Sequence, residues 1–304
     1  MGGGRDGRGG LASWLAALSP RRRVLAAVVA IAVLAGAGIA AGLSASGSGG
    51  TPSEASTPSE ASTPSPPGPA SPAAAGAGAV STAGPPQDKP GPVLLVPGYG
   101  GSTGSLSSLA ARIRATGRDA TVVPLPGSGT GSLRADAAVL NAAVTRALAH
   151  GAPSVDIVGY SAGGVVALIW ARRDDGIARA RRIITLGSPF HGTGLAAAAQ
   201  SFVPSECPAA CRQLVPDSAL LRSLDVSNAA GLPPWLSLWT TDDAVVTPPG
   251  SARLPGAVNV PVQSLCPAAR ISHTQLPVNP DVTAMVLQAL SAPRLQRPTA
   301  ADCR

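Results

Sequence analysis

Val155-Asp156-Ile157-Val158-Gly159-Tyr160-Ser161-Ala162-Gly163-Gly164 opens as an apolar run and ends in a cluster of small residues. Val165 to Ala171 follows in a helix-like pattern. A short apolar run bounded by turn residues reads as a buried strand. The cluster then reads as a tight strand-to-helix turn with a serine at its apex. Glycines two positions before and two after the serine suit such an elbow, because its strained backbone and close neighbouring chains leave no room for a Cβ. The turn holds the hydroxyl clear of the sheet, and the first N–H groups of the helix point toward developing negative charge. Ser161 is therefore a candidate nucleophile, and the N–H of Ala162 a candidate oxyanion donor. An ordinary Gly/Ser turn is the alternative in a chain with 36 glycines; the flanking strand and helix favour the elbow.

Upstream, Pro92 to Val96 reads as another buried strand, ending at Pro97-Gly98-Tyr99-Gly100-Gly101. Helical patterning over 106–116, a strand over 120–123 and a helix over 133–149 come next. Downstream, strands are predicted over 183–186, 236–240 and 258–262, with a last helix over 280–290. This alternation predicts an α/β fold with a mostly parallel central sheet and helices on both faces. The loop after the first strand supplies a second oxyanion candidate, the N–H of Tyr99, whose glycine neighbours let substrate approach the backbone; a plain Gly-rich turn is the other reading.

A serine hydroxyl needs a base to take its proton and an acid to orient that base. The chain has three histidines. His150 ends a predicted helix, where a cation suits the dipole. His191, in Ser188-Pro189-Phe190-His191, comes too early for the order nucleophile, acid, histidine that follows such an elbow; it reads as lining a pocket or holding a loop. His273 lies between the last predicted strand and the last helix, where the base belongs. For the acid, the strand over 236–240 runs into Thr241-Asp242-Asp243-Ala244-Val245-Val246. A carboxylate just past a strand end can accept a proton from a histidine Nδ1, and Asp242 or Asp243 could do so. Asp281 competes weakly, since Asn279-Pro280-Asp281 looks like a helix start.

Cys207, Cys211, Cys266 and Cys303 allow three pairings. We expect Cys207–Cys211, which is local, and Cys266–Cys303, which would tether the tail; four reduced thiols are the alternative. No histidine or second close cysteine pair completes a zinc set, and no dinucleotide or Walker loop is present, so no metal or cofactor is expected. The net charge of +7 combines five arginines against one aspartate before residue 24, Glu54 and Glu60 in the next stretch, and +5 over residues 88–304. The arginines of 88–304 are scattered, with only Arg172-Arg173 and Arg181-Arg182 as pairs, so nucleic acid is not an expected partner. One lysine among so many arginines, with abundant Ala, Gly and Pro, suggests a high-GC bacterial source.

Residues 1–23 read as a basic cytoplasmic N-terminus ending in Arg21-Arg22-Arg23. Residues 24–43 are an unbroken Ala/Val/Ile/Leu/Gly run about long enough to span a bilayer. The arginines would stay in the cytoplasm and send the rest outward. A cleaved signal peptide has the same layout and Ser44-Ala45-Ser46 offers small residues for cleavage, but the length of the run leans toward an anchor. Residues 44–87 are rich in Pro, Ser, Thr and Ala, with Thr51-Pro52-Ser53-Glu54-Ala55-Ser56 repeated at 57–62. They read as an extended disordered spacer open to O-glycosylation. Residues 88–304 are long enough for one catalytic domain with an extensive core, expected to be monomeric and extracytoplasmic.

Val96-Pro97-Gly98-Tyr99-Gly100-Gly101, the elbow, Thr185-Leu186-Gly187-Ser188-Pro189, Thr240-Thr241-Asp242-Asp243-Ala244-Val245-Val246 and Ser272-His273 together resemble the small bacterial triacylglycerol lipases of the lipase class 2 group. The resemblance implies an α/β-hydrolase fold, secreted cofactor-free hydrolysis of lipid or other carboxylic esters, and Asp243 rather than Asp242 as the acid. Relatives commonly carry His where this chain has Pro97 and Tyr160, which implies a reshaped pocket. The stretch over 190–232 has no counterpart in the smallest members and could form a partial lid or acyl-chain wall. The same triad would serve a short-chain esterase, a cutinase-like hydrolase, a wall-lipid acyltransferase or a peptidase. A non-catalytic wall or lipid-binding module on a stalk is the reading from a different class.

Overall fold

The computed structural model describes residues 84–304 except Ser102, Asn228 and Ala229. The basic N-terminus, the apolar run of 24–43 and nearly all of the spacer lie outside the described residues. The described residues form a six-stranded, all-parallel sheet in the order β2-β1-β3-β4-β5-β6. Its strands are β1 (Val93–Val96), β2 (Ala120–Val122), β3 (Val155–Tyr160), β4 (Ala180–Leu186), β5 (Trp235–Trp239) and β6 (Val258–Pro261). The main helices are α1 (Thr103–Arg114), α2 (Leu133–Ala149), α3 (Ala162–Arg173) and, last in the chain, α8 (Pro280–Ser291). Between them lie α4 (Gly176–Arg179), α5 (Gly194–Phe202), α6 (Ala209–Gln213) and α7 (Ala219–Arg222).

Alternation along the strands divides the interior into two cores. Leu94, Val96, Val155 and Ile157 face α2 and α3, where Trp170, Phe190 and Trp235 pack. Val93, Leu95, Val158 and Tyr160 face the opposite way, onto Leu106 and Ile113 of α1 and Met285 and Val286 of α8. α3 is buried on every side from Ala162 to Ala171, which is why its sequence is apolar all round rather than striped.

Two departures from the sequence reading have plain causes. β4 starts three residues before the expected Ile183, at Ala180, because Arg181 and Arg182 are buried strand residues. Asp156 on β3 accepts from Arg181 Nε at 2.9 Å and from Arg118 at 2.8 Å. Arg181 also donates to the Leu290 carbonyl at 2.8 Å, and Arg182 to that of Ala289, both at the C-terminal end of α8. Burial, with the neighbouring Arg181 charge, pulls the Arg182 guanidinium down to about 10, so it stays cationic at neutral pH. Charged letters in a strand are invisible to an apolar-run criterion. The second departure is the stretch over 190–232. Its short helices α5 to α7 and the turns that follow them send Ala196, Ala210, Leu214, Leu220, Leu221 and Leu224 into the core shared with α2 and α3, so this part of the chain is a packed layer of the fold.

Parallel strands put all their C-terminal ends on one edge. The chain leaves β1 toward β2 on one side and returns to β3 on the other, so a crevice opens between the ends of β1 and β3.

Candidate active site

Ser161 sits in that crevice, between β3 and α3. Its backbone, at φ 53° and ψ −126°, occupies a region that costs a non-glycine residue roughly 1–3 kcal/mol. The surroundings hold it there: its N–H donates to the Leu186 carbonyl at 2.8 Å, and its own carbonyl accepts from Gly164 N–H at 3.0 Å. The elbow glycines are required by space. A Cβ on Gly159 would lie 2.6 Å from the Gly164 Cα, and one on Gly163 would lie 2.2 Å from the Val96 carbonyl oxygen.

Across the crevice, the loop after β1 comes in just as closely. A Cβ on Gly98 would be 2.8 Å from Ser161 Cβ and 3.4 Å from its Oγ. The backbone of Gly98-Tyr99 therefore borders the hydroxyl, and Ala162 begins α3, where first-turn N–H groups have no partner within the helix. The Tyr99 side chain is partly exposed. Its hydroxyl is pushed above the ordinary tyrosine value by burial and by the Glu206 carboxylate.

Asp243 and His273 are both buried and meet at 2.7 Å, Oδ2 to Nδ1. The other Asp243 oxygen accepts from the N–H groups of Val245 at 2.9 Å and Val246 at 2.8 Å. These donors fix the carboxylate, and the contact at Nδ1 leaves Nε2 to face away from it. Asp242 is exposed, and among the described residues its carboxylate receives only a long 3.4 Å bond from Gln263. Thr240 ties this loop to the histidine loop by donating to the Ile271 carbonyl at 2.7 Å. His273 starts a short 3-10 turn secured by Ser272 and Gln275.

The other candidates are engaged elsewhere. His150 donates from Nδ1 to the Arg146 carbonyl at 2.7 Å, closing the end of α2. His191 is exposed and donates from Nε2 to the Arg253 carbonyl at 3.0 Å, holding a loop. Asp281 accepts from the Arg304 N–H at 2.6 Å. Disulfides join Cys207 to Cys211 and Cys266 to Cys303, the pairing expected from the sequence. Among the described residues no group of three or more His, Cys, Asp or Glu side chains could hold a metal ion.

The sequence reading missed the contact between Tyr160 and His273. The rings lie 5.2 Å apart, tilted by 33°. The tyrosine hydroxyl donates to the His273 carbonyl at 3.3 Å. Its only signal was a bulky aromatic in the elbow where a smaller polar ring is common.

No protein-family model matches the chain, and no curated protein sequence matches it significantly. Solved structures do. Lipase B of Aspergillus fumigatus superposes with a TM-score of 0.57 at 18% identity, over 71% of this chain and 55% of that one. The fold is that of the α/β-hydrolases. The matched part spans a little over half the length of that lipase. The mature form of the Bacillus licheniformis lipase BlEst2 matches over 58% of this chain and 84% of its own, at 20% identity and a TM-score of 0.47.

Proposed function

We propose that this chain is a serine hydrolase of carboxylic esters, with Ser161 as nucleophile, His273 as base and Asp243 as the carboxylate that orients it. The observation that carries the reading is the 2.7 Å contact between His273 and Asp243 at the sheet edge where Ser161 is held in a left-handed turn. His273 Nε2 removes the proton from Ser161 Oγ as the oxygen attacks the ester carbonyl, and the negative charge passes to the carbonyl oxygen. The N–H groups of Tyr99 and Ala162 bind that oxyanion. The imidazolium, stabilised by Asp243, gives its proton to the departing alcohol. Water, deprotonated by the same histidine, then releases the acid and frees Ser161.

Within the esters we assign lipids, and triacylglycerols first. The support is the resemblance in five separate motifs, together with a lipase as a structural neighbour. We place the enzyme outside the cytoplasm. The arginine cluster and apolar run at the N-terminus read as an export or anchor segment, and two disulfides suit an oxidising compartment. Hydrolysis of p-nitrophenyl esters of rising chain length, alongside an emulsified triglyceride, tests the assignment. A lipase favours the long chains and cleaves the emulsion. Activity confined to acetate and butyrate esters would make it a short-chain esterase. Turnover by Ser161→Ala equal to that of the wild type would remove the mechanism altogether.

A further inference from the structure

The residue before the proposed nucleophile touches the proposed base. Tyr160 is the last residue of β3, and its side chain is buried in the core shared with α1 and α8. It reaches His273, 113 positions later in the chain, through two contacts. The rings pack at 5.2 Å, and the hydroxyl donates to the His273 backbone carbonyl at 3.3 Å. The imidazole has a further neighbour at the end of β4. Gly187, at φ 57°, would place a Cβ 3.2 Å from both Cε1 and Nδ1 of His273. Any side chain there would press on the ring and would also strain the backbone. Asp243 grips Nδ1, Gly187 leaves the ring its space, and Tyr160 supports it from the core.

We infer that Tyr160 is a positioning residue for His273, fixing the imidazole through its ring and the histidine backbone through its hydroxyl. The inference rests on His273 being the base. The phenol hydroxyl bonds the backbone of His273 and none of the proposed reacting atoms. Burial, with the nearby Asp243 charge, pushes the hydroxyl well above the ordinary tyrosine value, so it remains a neutral donor wherever the enzyme works. The geometry has a consequence for the elbow. Tyr160 and Ser161 are adjacent on one strand end, so the same backbone that aims the nucleophile also aims the base. A 1 Å error in such a pair can reduce turnover by about 100-fold. The two contacts differ in strength. The tilted rings pack at 5.2 Å, whereas a 3.3 Å bond to a carbonyl is long and weak.

Tyr160→Phe keeps the ring and loses the hydroxyl; Tyr160→Leu loses both. With purified full-length protein and a p-nitrophenyl ester, kcat should fall less than about threefold for Tyr160→Phe. For Tyr160→Leu it should fall about 10- to 100-fold, with KM within twofold of wild type in both variants. A second readout is the far-downfield proton resonance of an imidazole Nδ1–H shared with a carboxylate. It should persist in Tyr160→Phe and be broadened or lost in Tyr160→Leu, at a temperature where both variants show wild-type circular dichroism. Unchanged kcat and an unchanged resonance in Tyr160→Leu would overturn the inference. So would a change in KM alone. Should Tyr160→Leu fail to fold, Tyr160→Met decides by the same two measurements. If His273→Ala retains full turnover, the triad reading falls. If His273→Ala is inactive while Tyr160→Leu behaves as wild type, only the positioning role falls.

Discussion

β3 carries a charged cluster near one end and the proposed nucleophile just past the other, and the two ends solve opposite problems. At the N-terminal end Asp156 is fully buried among Arg118, Arg181 and the last carbonyls of α8. Its oxygens are met from several sides, and nothing is left over to react. At the C-terminal edge of the sheet, past β5, Asp243 is equally fixed, but through His273 it leads to a ring whose second nitrogen is turned away from the carboxylate. Each edge of the sheet holds a buried carboxylate paired with nitrogen-bearing side chains. One pairing closes the structure, and the other is left open on one side. The difference lies in which strand ends the groups occupy, because only the C-terminal edge has a crevice.

Substitutions at each end should separate chemistry from stability. The largest effect is expected at the open end: Ser161→Ala or His273→Ala should lower kcat/KM on the order of 10⁴-fold or more, with Tm nearly unchanged. Asp243→Asn should cost on the order of 10³- to 10⁴-fold, since an amide in that place favours the wrong histidine tautomer. Steady-state kinetics beside calorimetry checks both. A Tm drop of many degrees in Ser161→Ala would mean that the elbow also holds the fold together.

Asp156→Ala should give the converse. Leaving Arg181 and Arg118 without their carboxylate should cost about 3–5 kcal/mol, read by urea unfolding, while kcat at low temperature stays near wild type. A variant with normal stability and poor kcat would break the contrast. A middle case is Cys266–Cys303, which ties the loop leading to His273 to the chain's end across 37 positions. Replacing both by serine should lower stability by about 3–4 kcal/mol with a modest loss of activity.

The smallest effect is expected at Asp136, a buried carboxyl of α2 whose Oδ2 has no partner among the described residues and which burial raises to about 6. A carboxyl raised in the folded state binds more protons there than in the unfolded chain between pH 4 and 6. Stability should therefore fall as pH rises through that window and level off above it. Asp136→Asn should flatten this slope and add on the order of 1–3 kcal/mol at pH 7. An unchanged pH–stability curve would show that Asp136 is solvated.

Much of this was legible in the sequence because it was carried by strong local patterns. The apolar runs of β1 and β3, the long α2 and the Asn279-Pro280 start of α8 announce themselves by composition. The elbow does so through glycines whose spacing follows from the crowding seen around Gly159 and Gly163. The candidate site was legible in part. His273 follows from chain order among three histidines. The two aspartates are adjacent, and only the resemblance favoured Asp243. What distinguishes them physically is the pair of N–H groups from Val245 and Val246, a turn that any two consecutive aspartates could have offered. The helices over 194–222 are too short to show a period, and the buried arginines of β4 contradict the rule by which strands are found. The Tyr160–His273 contact joins positions 113 apart and has no local trace.

Fluorophosphonate modification followed by peptide mapping tests the role of Ser161 most directly. A single adduct on the peptide containing Ser161, absent from Ser161→Ala and formed far more slowly in His273→Ala, is the expected result. Equal labelling of wild type and Ser161→Ala, or an adduct on another residue, would contradict it.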